Sequence, residues 1–424
     1  MPRMNQRPGT VREPRYTPKF AGLDDIGSSL ITLEVNLSVY RDNLRAILSH
    51  IAPARLIAVV KANAYGFGVA GLLPVLSEFA DISLGVANAD EALELKSLGY
   101  DGRIILLGYT HPKNYYQIVH SGCQLACFRM EHLPALAEAC RELKHPLQLH
   151  IKVDTGMSRL GVGLGELAAF TRELKRYPQI TVVGLFSHLV YSDAPEQQIN
   201  ALQLQRFAQA IEIVTNELGY RPECHLANSA AVQNLPRTHL DSVRVGLMAY
   251  GVGVPGMHEA QVSVEPCFRL LSEVIDVHQI KPGDGVSYTH SFVAPQPATI
   301  VTLPVGYADG LPRSLSNKVK VLIGGRRFPL VGNITMDYVM ADVSGAEGAR
   351  VSNPQAKSGL QSRAPSADAA SIQLGEPAVF IGAQRGPLGA DSISIEEVAA
   401  LAGTIPYEIS CAWGRRVRRV YFEE

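Results

Sequence analysis

From Ile31 to about Gly256 the chain alternates short apolar runs, rich in β-branched residues, with longer segments whose apolar residues recur three and four apart. A strand covered by helices on both faces has no polar side to show, so this alternation is the pattern of parallel βα units. Strand-like runs fall at residues 55–61, 82–87, 103–108, 124–128, 147–154, 182–188, 225–228 and 243–246, with helical spacing between them, as at 133–140 and 207–214. Eight is the number that closes a TIM (β/α)8 barrel. Beyond Gly256 the pattern shifts to β-rich runs with frequent turns, at 270–278, 298–303 and 318–323, and predicts a second, mostly β C-terminal domain. The expected organisation is a disordered tail over 1–29, a barrel over 30–262, and a β-rich domain over 263–424. A Ser/Ala/Gln/Gly-rich insertion without periodicity, expected to be flexible, interrupts the last of these at 344–370.

Charge and cysteine usage narrow the partner. Lys+Arg number 39 and Asp+Glu 40, with no dense basic face, which argues against nucleic acid and for a small molecule. No apolar run approaches the ~20 residues of a membrane span. Six scattered cysteines without a secretory pattern predict reduced thiols in the cytoplasm. Cys123 and Cys127 stand close, but no second Cys/His pair lies at a zinc-like distance, so two packed thiols and no metal are expected. The tail carries Arg3, Arg7, Arg12 and Arg15 as a transit peptide would, yet its prolines oppose an amphipathic helix.

Chemistry enters at the strand ends, where barrel enzymes build their sites. The first run ends on Lys61, followed by Tyr65, Gly66 and Gly68. A lysine there is either a solvated ammonium or a desolvated amine with a lowered pKa, which Schiff-base chemistry with a carbonyl cofactor needs. Later runs end on Asn88, on Asp154 with Arg159 beyond it, on His188, on Asn228 and Ser229, and on Arg244 before Gly246. Each has a bland reading alone, such as a helix cap at Ser229 or a core histidine at His188. Together they converge on one mouth. The last two ends, Asn228-Ser229-Ala-Ala and Gly246-Leu247, suit a phosphate held on backbone amides. A phosphate opposite an aldehyde-binding lysine describes pyridoxal 5'-phosphate (PLP). In the second domain, 283–288, 305–310 and 333–337 are turn-rich and polar, as functional loops are.

Taken in order, Val60-Lys61-Ala-Asn-Ala-Tyr65-Gly, Lys152-Val-Asp-Thr-Gly-Met-Ser-Arg159, His225-Leu-Ala-Asn-Ser229, Val243-Arg244-Val-Gly246, Gly285-Val-Ser-Tyr288, Gly306-Tyr307-Ala-Asp-Gly310 and Met336-Asp337 closely resemble the alanine racemase family. The resemblance runs from about Ile31 to Tyr421. It implies a PLP-dependent, fold-type III, two-domain enzyme working as a head-to-tail homodimer and interconverting L- and D-alanine, with D-alanine going to peptidoglycan. It implies that Lys61 binds the cofactor covalently and acts as one base, with Tyr288 of the other subunit as the second. Racemisation needs one base on each face of a planar carbanion. A tyrosine ordinarily ionises near ~10, so Tyr288 is expected to draw on positive charge from His188 and Arg244. By the same resemblance Arg244 faces the pyridine nitrogen, while Arg159 meets the cofactor phenolate and the substrate carboxylate. Tyr65, Asn228, Ser229, Gly246, Leu247 and Tyr407 are expected to bind the cofactor, mostly around its phosphate. Met336, Asp337 and Tyr307 are expected near the substrate, and Lys152 at a position carbamylated in some members.

The chain departs from the family pattern at Thr289-His290 after Tyr288, at Tyr338 after Asp337, and at Tyr191 beyond His188. These bear on the substrate pocket. The alternative activities are therefore a broader racemase acting on serine or another small amino acid, and a non-catalytic PLP-binding protein.

Overall fold

The computed structural model describes residues 30–253, 261–344 and 372–424. The tail expected at 1–29 and nearly all of the insertion expected at 344–370 lie outside the described residues. The chain divides into two compact units. One comprises Val39–Glu265; the other comprises Pro266–Glu424 with the segment ending at Ser38.

The first strand, β1 (Thr32–Asn36), does not join the barrel and belongs to the second unit. The next eight, β2 (Arg55–Val59), β3 (Ser83–Val86), β4 (Ile104–Leu106), β5 (Gln124–Cys127), β6 (Leu147–Lys152), β7 (Ile180–Phe186), β8 (Glu223–His225) and β9 (Ser242–Val245), form a closed parallel barrel. Closure is direct: β2 pairs with β9, Arg55 against Ser242 and Ala58 against Val245. Helices follow the strands, as parallel connection requires. The amphipathic helix Leu133–Leu143 buries Leu133, Leu136, Ala137 and Cys140, three and four apart. Cys123 and Cys127 are buried free thiols, and no metal-binding cluster of His, Cys, Asp and Glu occurs among the described residues.

At the N-terminal ends of the strands the barrel is closed by charge. Glu223 receives two hydrogen bonds from Arg103, at 2.7 and 3.1 Å, an ion pair from Arg55 at 2.8 Å, and the Ser242 hydroxyl. Burial alone would raise the Glu223 pKa, but these partners outweigh it and hold it below the usual carboxylate value.

In the second unit β10 (Phe268–Glu273), β11 (Asp276–Ile280), β12 (Gly285–Val286), β13 (Phe292–Val293), β14 (Ala298–Leu303), β15 (Lys320–Ile323), β16 (Arg326–Val331), β17 (Val339–Asp342), β18 (Pro377–Gly386), β19 (Gly389–Ile393) and β20 (Arg418–Phe422) follow. Apart from the hairpin β12–β13, they and β1 build one ten-stranded sheet, ordered β11-β14-β17-β16-β15-β18-β10-β1-β20 with β19 paired to β18. The run 270–278, read as one strand, is two: β10 ends at Glu273, and β11 leaves to pair with β14. No helix among the described residues is long and apolar enough to cross a membrane.

Candidate active site

The lysine at the end of β2 opens an unusual piece of backbone. Ala62, Asn63, Ala64 and Tyr65 all have φ between 52 and 55°, a left-handed turn made without glycine, and Gly66 and Gly68 continue it at 88 and 90°. The turn thus starts four residues before the first of the two glycines. Left-handed backbone crowds Cβ against the following carbonyl, so four such residues in a row are strained. Lys61 is exposed, with Nζ 5.9 Å from the Tyr65 ring centroid, while Tyr65 itself is buried.

Tyr65 reaches the end of β9. A Cβ built on Gly246 would lie 2.3 Å from the Tyr65 hydroxyl, so only glycine leaves room there. Ser229 accepts a hydrogen bond from the Gly246 N–H through its hydroxyl at 3.0 Å, and Leu247 is buried beside it. The helix cap suggested at Ser229 falls instead to Asn228, whose Oδ1 accepts from Ala231 N at 3.0 Å and from the Ser192 hydroxyl at 2.8 Å. Asn88 is likewise a cap, accepting from Glu91 N.

Arg244, on β9, is buried. Its Nη1 donates to His225 Nδ1 and to the His225 carbonyl, both at 2.9 Å; Nη2 donates to the Ser187 carbonyl at 2.7 Å and the Leu226 carbonyl at 2.9 Å, and lies 3.4 Å from His188 Nδ1. Because a guanidinium can only donate, His225 Nδ1 must accept. His225 Nε2 then carries the proton and donates to His150 Nδ1 at 3.0 Å, and His150 Nε2 donates to Gln124 Oε1 at 2.7 Å. Gln124 Nε2 passes the chain to Gln148 Oε1 at 2.5 Å. One donor-only group thus sets the tautomer of every ring in a buried wire. Burial holds both histidines neutral, His150 at about 3 and His225 well below its usual value. None of Arg244's hydrogen bonds to the described residues uses Nε.

His188 is also neutral. Burial, then Arg244, Lys152, Arg159 and Lys61, press it to about 2, so the positive charge expected there jointly with Arg244 rests on Arg244 alone. Arg244, though brought down to about 9 by burial, remains a cation at neutral pH. Lys152 is 6 % exposed, lies 4.6 Å from the centroid of the Phe186 ring, and is brought to about 7 by burial and then by Arg244 and Arg159. Arg159 is exposed at the end of a loop that Asp154 shapes, one carboxylate oxygen accepting from the amides of Gly156, Met157 and Ser158. Gln203, fully buried, joins this loop to His188: its Nε2 donates to Thr155 Oγ1 and the His188 carbonyl, and its Oε1 accepts from Val190 N. Lys61, Lys152, Arg159, His188 and Arg244 therefore act on one another in a single barrel mouth.

Tyr288, Tyr307, Met336, Asp337 and Tyr407 lie in the second unit. Tyr288 is 71 % exposed, between Ser287 and Thr289, whose φ values are 64 and 61°; the Asn333 side chain donates to its carbonyl at 2.7 Å. Arg416 clasps buried Asp309 with Nε and Nη2, at 2.9 and 3.0 Å, and Asp337 with Nη1 at 2.8 Å. That ties the Tyr307 turn to the Met336-Asp337 loop, where Ala308 N donates to the Met336 carbonyl at 3.2 Å. Tyr407 is exposed on the short helix Pro406–Cys411.

The donor set suits PLP. It offers a primary amine at Lys61, a cradle of Tyr65, Ser229 and Gly246 that a Cβ would obstruct, and a cationic wall from Arg244 and Arg159. Fold and mouth together define a class: a (β/α)8 barrel with an appended β domain, holding an anionic small molecule over a lysine. Two family models complete the assignment, the alanine racemase N-terminal domain over residues 35–254 and the alanine racemase C-terminal domain over 267–421. The chain belongs to the alanine racemase family. It is 36 % identical over 394 residues to an alanine racemase of Desulfovibrio desulfuricans, covering 92 % of this chain and 97 % of that one. The alanine racemase of Clostridium difficile 630 superposes with a TM-score of 0.82 at 27 % identity, covering 94 % of this chain and 97 % of that one. A Bartonella henselae alanine racemase with covalently bound pyridoxal phosphate superposes with a TM-score of 0.79 at 27 % identity, covering 93 % of this chain and all of that one.

Proposed function

We infer that this protein is a PLP-dependent enzyme that interconverts L-alanine and D-alanine by a two-base mechanism, acting in the cytoplasm as a homodimer and supplying D-alanine for peptidoglycan. The observation that carries this reading is the meeting of Lys61, Arg159, His188 and Arg244 with the Tyr65–Ser229–Gly246 cradle in one mouth. PLP bound there would withdraw electrons from the substrate α-carbon and make its proton removable. Lys61 would hold the cofactor aldehyde, and Tyr65, Asn228, Ser229, Gly246, Leu247 and Tyr407 its phosphate side. Arg244, a donor that keeps its proton, would leave the ring nitrogen unprotonated and the electron sink modest, which discourages side reactions.

Lys61 Nζ would move the α-proton on one face and the Tyr288 hydroxyl of the partner subunit on the other. The charge assisting that phenol would come from Arg244, with neutral His188 contributing a hydrogen bond. Since Arg244 Nη2 donates towards His188 Nδ1, the proton of His188 sits on Nε2. Arg159 and Met336 would seat the substrate carboxylate, with Asp337 and Tyr307 at the entrance. Lys152 would carry a carbamate formed from its neutral amine and CO2, a new N–C bond with release of one proton, which places an anion beside Arg159. Incubation with 13C-bicarbonate should give a carbamate carbon resonance in wild type and none in Lys152→Met.

The deciding experiment is racemisation of L-alanine and L-serine followed by chiral chromatography. Wild type should turn over alanine far faster than serine, and Lys61→Ala and Tyr288→Phe should each lose at least about 10²–10⁴-fold, the usual worth of a positioned acid–base group. Comparable turnover of serine would establish the broader racemase. PLP binding without turnover of either would establish a non-catalytic carrier.

A further inference from the structure

The strained turn after Lys61 is held from outside by one carboxylate. Glu91, in the first turn of the helix Ala89–Ser97, accepts the Ala62 N–H on Oε1 and the Ala87 N–H on Oε2, both at 2.7 Å. A glutamate three residues past a capping asparagine ordinarily turns back to the cap's own amide. Here Asn88 caps Glu91 N at 3.1 Å, yet the Glu91 side chain goes elsewhere: to the chain just beyond β3, and to the first left-handed residue after the lysine. Inside the turn several amides are served locally: Ala64 N by the Val60 carbonyl, Gly66 N by that of Ala62, Gly68 N by that of Asn63, and Val69 N by the Asn63 side chain. The Ala62 amide, next to Lys61, is handed to an ionisable group on a different element.

Two features make this more than a helix cap. Four consecutive left-handed residues persist only where their surroundings over-determine them, and a charge-assisted pair of hydrogen bonds is such a determinant. The clamp also spans β2 and β3, neighbouring staves of the barrel, so it fixes the start of the lysine's turn to the wall. We propose that Glu91 is a positioning residue for Lys61, holding the left-handed turn in the conformation that presents the amine to an aldehyde. The proposal rests on the reading of Lys61 as the cofactor-binding lysine.

The test uses full-length protein freed of PLP, with Glu91→Gln and Glu91→Asp. Glutamine can accept one amide but not both, and aspartate keeps the charge one methylene short of bridging them. Hydrogen exchange read by mass spectrometry on the peptide spanning Lys61 to Gly66 should speed up by about tenfold or more in both variants, the worth of one charge-assisted hydrogen bond. The rate at which added PLP develops its lysine-imine absorbance should fall by a similar factor. Glu223→Gln, which loosens the barrel at its other end, serves as the stability control and should lower the melting temperature without slowing PLP capture. Wild-type exchange in both Glu91 variants, or capture slowed no more than in Glu223→Gln, overturns the proposal. Failure of wild type itself to capture PLP, or capture persisting in Lys61→Ala, overturns the reading of Lys61 instead, while the exchange measurement still judges the clamp.

Discussion

A lysine that is buried and hemmed by two arginines makes stability depend on pH in a definite direction. Lys152 has a folded pKa of about 7 against an ordinary value of 10.5, so between those values the unfolded chain binds the extra proton. Folding stability should therefore rise as pH climbs through that window, and denaturant midpoints in CO2-free buffer should show the rise in wild type and lose most of it in Lys152→Met. His150 works in the same direction on the acid side. Its pKa falls from 6.5 to about 3, so stability should drop as pH falls below 6.5 and the unfolded state takes up protons that the wire refuses. As candidates, Lys61 was singled out by its place at a strand end, and Tyr288 by motif resemblance. His150, His225 and Gln203 were not. Each sits inside an apolar run or an ordinary amphipathic helix, and the available signal was a polar side chain where the period demanded an apolar one.

At the level of the strand, β7 exists in its present form because Gly184 does. Gly184 is paired with His150 on β6, and a Cβ there would lie 1.9 Å from the imidazole. Gly184→Ala should displace His150, interrupt the wire to Arg244 and cost about 1–3 kcal/mol, as overpacking of a tight core does, measurable by chemical denaturation. All eight barrel strands were legible, since buried parallel strands announce themselves as apolar runs of the right length, although β8 runs over Glu223–His225 instead of 225–228. The second unit was legible only as a class. Antiparallel order depends on which distant runs meet, and nothing local in 270–278 told that Val274 and Ile275 would separate two strands with different neighbours. Nor could the left-handed turn after Lys61 be read, because it is built from alanine, asparagine and tyrosine, while the glycines that signal such turns come after it.

For the molecule as a whole, the Glu223 charge cluster sits at the end of the barrel away from the chemistry. Glu223→Ala would leave Arg55 and Arg103 without the carboxylate that gathers them, and should cost about 3 kcal/mol in urea titration while leaving PLP capture by the folded fraction intact. The shared site proposed for the dimer has its own signature. Lys61→Ala and Tyr288→Phe, each inactive alone, should recover about a quarter of wild-type activity when dissociated and reassociated together, because one mouth of each mixed dimer has both bases intact. If each subunit instead uses its own tyrosine, mixing restores nothing. The strand β1 has a consequence for how the chain is made. It pairs in parallel with β20, Thr32 opposite Arg418, partners separated by roughly 390 residues of synthesis, or about 20–80 s at ordinary ribosome speeds. During that interval the barrel can close and β1 can take β10 on one edge, but its other edge stays open until β20 is made, so a chain cut short between β10 and β20 carries an unpaired strand edge.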